Sequence, residues 1–474
     1  MKKLLPFIFA AASACAAPVP RESVLTNVDS TAAQFNDVAL KIWAFAEVGY
    51  KEKQSSALLA EQLRAAGFTI ETGVAGIPTA FTATFGSGKP VIGILGEYDA
   101  LPGVSQDAVP EKKAVEGRPA GHACGHHLFG AASAQAAIAA KAWLEARGGS
   151  GTIRFYGTPA EEGGSGKVYM VRAGLFKDVD VVLHWHPDDR NSVTMAPSQA
   201  NKNGKFRFRG VASHAAGSPE LGRSALDAVL AMNHMVDMMR EHVPQETRLH
   251  YIITRGGEAP NVVPAFAETY HYVRHRDPAL VKSIWERLVK TAEGAALGTG
   301  TTVDWEVLGG VYDLLPNEVL GRLMHANLSQ VGGVTYSAAE KEFADKIGRT
   351  LFGKPLAHDI ANLIQPFNAN EPPQSGSTDV GDVSWNVPTM GIGTATWVPG
   401  TPAHSWQAVA TGGTTIGLKG MNVASKVLAL TIVDLLSQPD TIKAAWAEFE
   451  KRRGPGFKYE PLLGTRAPAL NYRD

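Results

Sequence analysis

Four short stretches of this 474-residue chain concentrate side chains that bind metals or move protons. Gly121–Gly130 (GHACGHHLFG) sets Cys124, His126 and His127 between glycines. Thr158–Glu162 (TPAEE), His184–Pro187 (HWHP) and Pro402–Gln407 (PAHSWQ) follow. Thiolate, imidazole and carboxylate donors together are the mixture of a catalytic transition-metal site rather than a closed structural one. Cys124 and His126, one residue apart, can turn toward one cation; His127 is the spare, pointing away or supporting the ligands from behind. Glu161 and Glu162 suggest a division of labour, one carboxylate on the metal and the other facing the substrate as general base, and adjacency alone does not say which is which. His184 and His186 flank Trp185 and would share a face on a strand. His186 is read as the ligand and His184 as a spacer or supporting partner, and His404 joins the ligand set. Asp99, in GEYDALPG, is an acid just past an apolar run, suited to bridge metals or to orient a ligand His, with Glu97 as the alternative. A second polar set lies farther on: His214 (ASHAAGSP) to donate to an oxyanion, and Asn261 (APNVVP) and Arg274 (YVRHRD) to hold a carboxylate.

The elements that must position these residues are legible as periodicity. Ser23 to Gly67 reads as helical, with apolar positions at Val38, Ile42, Phe45, Leu58, Leu59 and Leu63. Short apolar runs then read as strands: Val91–Leu95 before GEYDALPG, Thr152–Tyr156 before GTPAEE, Val179–Leu183 before HWHP, and Thr389–Trp397 before PGTPAHSW. Helical segments such as Ala131–Glu145 lie between them. That alternation predicts an α/β domain with a mainly parallel sheet, where ligands bind beyond the carboxyl ends of the strands. Between residues 201 and 314 the pattern changes. Helical runs at Ser224–Glu241 and Pro278–Gly294 and strand-like runs at Leu249–Thr254, Glu268–Val273 and Thr302–Val307 predict a small α+β module. It is inserted into a catalytic domain of residues 23–200 and 315–437. Residues 438–474 read as a surface extension.

Composition bounds the function class. The length argues for two domains. Charged residues are 19%, apolar residues 45% and the formal net charge is -1, so nothing points to nucleic acid or an anionic membrane as partner. Lys2, Lys3, the apolar run Leu4–Ala12 and the pattern Ala14-Cys15-Ala16 predict an export signal cleaved after Ala16, placing the protein in the periplasm or outside the cell. The apolar run is too short for a membrane span. Lipidation at Cys15 is a weaker alternative, because Ala12 stands where a larger aliphatic residue is usual. Of the two cysteines, Cys15 would leave with the signal. Cys124 would then remain as a lone thiol in an oxidising compartment, which metal ligation explains.

The motifs GEYDALPG, GHACGHHLFG, GTPAEEGG, WHP, ASHAA, NVVP, GSTDVGDVSW and PAHSW occur in an order that resembles metallopeptidase family 20, in its aminoacylase-like amidohydrolase branch, from roughly Asp29 to Leu436. The resemblance implies a catalytic domain with two divalent metal ions (Zn or Mn, with Co as an option) and an inserted lid that dimerises. It implies ligands at Cys124, His126, Glu162, His186 and His404, with Glu161 as the base. It also implies that the lid His214 reaches the active site of a neighbouring subunit in a homodimer. The substrate class would be N-acyl or aminoacyl amino acids, either aminobenzoyl-glutamate-like or dipeptide-like. One departure is His127, where the branch commonly has Asn or Asp. Two rival classes are a cysteine amidase with Cys124 as nucleophile and a non-catalytic binding subunit on the same fold. The surplus of metal-type donors argues against the first and the intact ligand set against the second.

Overall fold

The computed structural model describes residues 19–355 and 357–474; the stretch Lys2–Ala16, read above as an export signal, lies outside the described residues. A six-stranded sheet organises the larger domain, with strand order 69–72, 81–87, 151–157, 91–96, 181–188, 389–395. The last four strands are mutually parallel, and the first two form antiparallel pairings at one edge. The central strand Val91–Gly96 is buried along its whole length, as a strand covered on both faces must be. Helix His126–Arg147 lies across it and packs against helices Ser23–Phe45 and Thr415–Ser437. Its run of buried alanines, from Ala131 to Ala140, lets backbones approach closely. Helix Thr415–Ser437 is long and apolar enough to cross a membrane, yet its apolar residues are buried in this core.

Ser23 to Gly67 forms two helices, Ser23–Phe45 and Lys53–Ala65. Ala46 and Tyr50 take left-handed backbone conformations between them, and the intervening loop delivers Tyr50 and Glu52 toward the active-site side. The inserted module is a four-stranded antiparallel sheet in the order 302–311, 200–209, 266–275, 248–255. Helices Ala225–Met239 and Pro278–Thr299 pack on one face of that sheet through Phe206, Phe208, Ala267 and Val273. Period-two alternation sends Asn201, Asn203, Lys205 and Arg207 of one strand, and Tyr270, Tyr272 and Arg274 of its neighbour, to the opposite face. That face looks into the cleft between the two domains.

Residues 438–474 are not a surface extension. Helix Pro439–Arg453 buries Ile442, Ala445 and Phe449, and beyond it Leu462 enters the lid core while Leu463 enters the catalytic core. The Pro- and Gly-rich composition misleads because the segment packs as an extended strap, with no periodicity to betray its buried side.

Candidate active site

The carboxyl ends of the parallel strands deliver the ligand-type residues into a cleft of about 1080 Å³. The turn Gly121–Gly125 presents Cys124, and His126 opens the following helix. Gly125 has φ 76°, and a Cβ there would collide with Pro187, so the tight junction of this turn with the histidine strand requires glycine. His184 and His186 lie within strand Val181–Asp188 rather than after it. His404 sits in a left-handed conformation, its backbone N–H donating to the Ala123 carbonyl at 2.9 Å.

Potential ligand atoms converge in overlapping groups. Cys124, His126 and His186 offer atoms all within 4.8 Å of one another, as do Cys124, Glu162 and His404. The Cys124 thiol belongs to both groups. A third group, Glu97, His126 and Glu161, shares His126. His126 Nδ1 is held by Asp99 at 2.8 Å, which leaves Nε2 as the atom that could ligate a metal, and Nε2 lies 3.0 Å from Glu97 Oε2. Glu162 Oε1 likewise faces His404 Nε2 at 3.1 Å, yet His126 Nε2, Glu97 Oε2 and Glu162 Oε1 are buried without a well-formed hydrogen bond among the described residues. Buried atoms in this state are costly unless a cation joins them. A soft thiolate, three imidazoles and a carboxylate around that gap fit divalent transition metals.

Electrostatics separate the two adjacent glutamates. Burial drives the Glu161 carboxyl well above the usual carboxylate range, helped by the negative charges of Glu97, Glu162 and Asp379. Burial acts on Glu162 in the same direction but is outweighed by His404 and His126, which hold it at about 2. Its carboxylate lies 3.1 Å from His404 Nε2. Burial also raises the Cys124 thiol, despite His126. A thiol that holds its proton this firmly makes a poor nucleophile without a cation, and this weighs against the cysteine-amidase reading. Behind the cluster, Lys167 is fully buried and bonds Glu97 and Asp379, each at 2.7 Å.

The loop carrying both glutamates is pinned through its backbone. Ala160 and Ser165 both have φ 57°, sparsely populated for residues with a Cβ. The Ala160 N–H donates to Glu52 at 2.8 Å, the Glu162 N–H to Asp99 at 2.9 Å, and the Tyr50 hydroxyl to the Gly164 carbonyl at 2.7 Å. Asp99 therefore orients His126 and the Glu162 loop together, the second of the two roles open to it in the sequence.

The remaining expected residues divide. His184 lines the cleft against Gly391 but belongs to no ligand group, and burial lowers it to about 3. His127 does not support the ligands: it bonds the Gly412 carbonyl and packs on His122, away from them. Arg274 lines the cleft, over the Tyr272 ring, and its buried Nε has no partner among the described residues. His214 and Asn261 do not join it. They are exposed on the lid, side by side, with the Ala215 N–H on the Asn261 carbonyl. Sequence reading missed Glu52, Lys167, Asp379 and, apart from Arg274, the polar lid face; the alternating run Phe206–Arg209 carried a signal for the last.

Residues 93–408 match peptidase family M20/M25/M40. The chain belongs to that family. It is 40% identical to one of the subunits of p-aminobenzoyl-glutamate hydrolase from Escherichia coli (strain K12), over 90% of this chain and 93% of that one. It is 28% identical to the Xaa-Arg dipeptidase of Mus musculus over 93% and 94%. The fold is shared with a dinuclear metal-binding peptidase of the M20 family from Bacillus subtilis, with TM-score 0.59 at 18% identity, covering 86% of this chain and 99% of that one. This M20 chain is a metal-dependent hydrolase of amide bonds.

Replacing Asp99 with Asn should weaken metal retention about 10–100-fold, read by competition with a chromogenic chelator. Wild-type retention in that variant would reduce Asp99 to a packing role.

Proposed function

We propose that this M20 enzyme hydrolyses N-acyl or aminoacyl amino acids bearing a free carboxylate, with p-aminobenzoyl-glutamate and dipeptides as the class to test. The observation that carries the reading is the Cys124 thiol shared between two ligand groups, beside a cleft that holds an unpaired Arg274. One ion would be held by Cys124, His126 and His186 and the other by Cys124, Glu162 and His404. Such a pair polarises the scissile carbonyl and acidifies water. Zn is favoured by the thiolate, with Mn and Co as alternatives. Glu161 is the general base: its elevated proton affinity suits it to take a proton from the attacking water and return it to the leaving amine. Arg274 takes the substrate carboxylate; Lys205 and Arg207 are already paired with Glu268 and Glu306. The E. coli relative supports the aminobenzoyl-glutamate class by its name, and the mouse relative the dipeptide class.

We propose further that the enzyme works as a homodimer in which His214 of the partner subunit completes the site. His214 Nδ1 accepts the Gly217 N–H at 2.9 Å, which places the ring proton on Nε2, ready to donate to an oxyanion. The lid strand Arg248–Arg255 leaves one edge unpaired, and Ile252, Ile253, Leu230 and Met238 are exposed on it and on helix Ala225–Met239. That combination supports association with a second copy. The lone retained thiol and the N-terminal pattern support export to the periplasm, with cleavage after Ala16.

Chelation should abolish hydrolysis of p-aminobenzoyl-glutamate or of a dipeptide panel by the purified protein, and Zn, Mn or Co should restore it. Full activity without metal refutes the reading.

Glu161→Gln should lower kcat by about 10²–10⁴ while metal content is kept. Glu162→Gln should lose metal as well. Elemental analysis beside kinetics separates the two, and the reverse pattern exchanges their roles.

His214→Ala should keep metal and lose about 10²–10³ in kcat. Mixing it with Glu161→Gln should restore activity, since a hybrid site has both groups. No recovery between subunits that demonstrably exchange would place His214 outside the reaction of its partner.

A further inference from the structure

Past helix Pro439–Arg453 the chain runs as a strap across both domains and ends its course on the glutamate loop. Tyr459 donates to Asp382 at 2.6 Å, and the Glu460 carbonyl accepts the Tyr312 hydroxyl at 2.9 Å. The strap then divides between the two cores at adjacent residues, Leu462 and Leu463. Arg466 donates to the carbonyls of Val307 and Leu308 on a lid strand, at 2.6 and 2.7 Å. On the catalytic side, Arg172 donates to the carbonyls of Gly464 and Arg466, at 3.0 and 2.8 Å.

Two contacts near its end fall on one atom. The Tyr472 hydroxyl and Arg473 Nη2 both donate to the Glu162 carbonyl oxygen, at 2.9 and 2.5 Å. Two donors satisfy both lone pairs of a carbonyl. The Tyr472 ring stands edge-on to Tyr50, whose own hydroxyl holds the Gly164 carbonyl two residues on. Gly49 leaves the space that the Tyr472 hydroxyl enters. Glu162 has ψ 69° inside its short helical turn, and Ala160 and Ser165 on either side are left-handed. A loop with so little conformational preference for its own shape depends on external contacts to keep it. The Glu162 N–H is held from within the catalytic domain by Asp99, and its carbonyl is held by the strap.

We propose that Tyr472 and Arg473 are positioning residues of the metal centre. By fixing the Glu162 carbonyl they set the direction of its carboxylate toward Cys124 and His404. Because the same strap is tied to the lid through Arg466, the seat of the lid and the aim of Glu162 are mechanically coupled. This inference rests on the reading of Glu162 as a ligand.

The test uses the full chain with Tyr472→Phe, Arg473→Met, the double variant, and Arg466→Met. Hydrogen exchange of the amides at 161–165 should speed up in the double variant, with the global unfolding midpoint close to wild type. Metal affinity, by chelator competition, should fall about 10–100-fold. Arg473→Lys should recover part of the Arg473→Met loss, since an ammonium can still reach the carbonyl. Arg466→Met should speed exchange in the same loop although it touches none of it; unchanged exchange there overturns the coupling. Wild-type exchange and wild-type metal affinity in the double variant overturn the positioning role. If the double variant fails to fold, Tyr472→Phe alone, lacking a single hydroxyl, decides by the same two readouts. A wild-type protein that binds no metal would refute the functional reading instead, leaving the exchange data to judge the strap.

Discussion

Around Cys124 the chain gathers the buried Glu97 and Asp99 and the half-buried Glu161 and Glu162, and the permanent cation inside the cluster is Lys167, committed to Glu97 and Asp379. Removing that much negative charge from water costs several kcal/mol per ion unless each charge is paired. One lysine cannot pair them all; the remaining partners are the imidazoles of His126 and His404, and Glu97 Oε2, Glu162 Oε1 and His126 Nε2 still lack a well-formed hydrogen bond among the described residues, which marks where compensation is incomplete. A divalent cation is the economical answer. The two glutamates are divided by their surroundings: His404 and His126 keep Glu162 ionised, whereas burial, with carboxylates nearby, raises the proton affinity of Glu161.

The fold serves that cluster by bringing its donors from separate places. The central parallel strands end where Glu97, Asp99, Glu161 and Glu162 begin, and the histidine strand runs beside them. Helix His126–Arg147 starts at the site rather than passing it, so its first residue is a ligand-type His and the rest of the helix anchors the core. The lid supplies a polar wall with one uncommitted guanidinium, Arg274. Neither domain holds the complete arrangement, and the glutamate loop depends for its shape on Tyr50, Glu52 and Asp99 from one domain and on a strap that crosses both.

His214 lies apart from the cleft that the lid face lines. In its own subunit it is exposed and its tautomer is set by local backbone N–H groups, so it is prepared as a donor but has nothing within the cleft to donate to. Its neighbours on the lid include exposed apolar side chains, among them Val262, the residue that pairs with it. The lid face toward the cleft is polar, and its outer surface, although charged in many places, exposes Leu230, Met238, Ile252 and Ile253 beside an unpaired strand edge. Those apolar side chains at that edge are the reason a second copy enters the functional proposal.

Much of the site was legible in the amino-acid sequence because its chemistry is local. Cys124, His126, Glu161, Glu162, His186 and His404 stand in short glycine- and proline-bounded motifs, and the strands before the glutamates and around the histidines have unmistakable apolar runs. The α/β class and the inserted module follow from periodicity, which depends on the backbone repeat alone. What the sequence left open were matters of pairing at a distance. Asp99 and Glu97 are two residues apart, and only the folded chain puts the first on His126 Nδ1 and the second on Lys167, seventy residues away. His127 is next to His126 in the chain, but the helix turns it toward Gly412. The strap was hidden for a related reason. An extended segment carries no period to announce its buried face, and its contacts with Glu162 span some three hundred residues, so tertiary packing alone decided that the tail of the chain belongs to the active site.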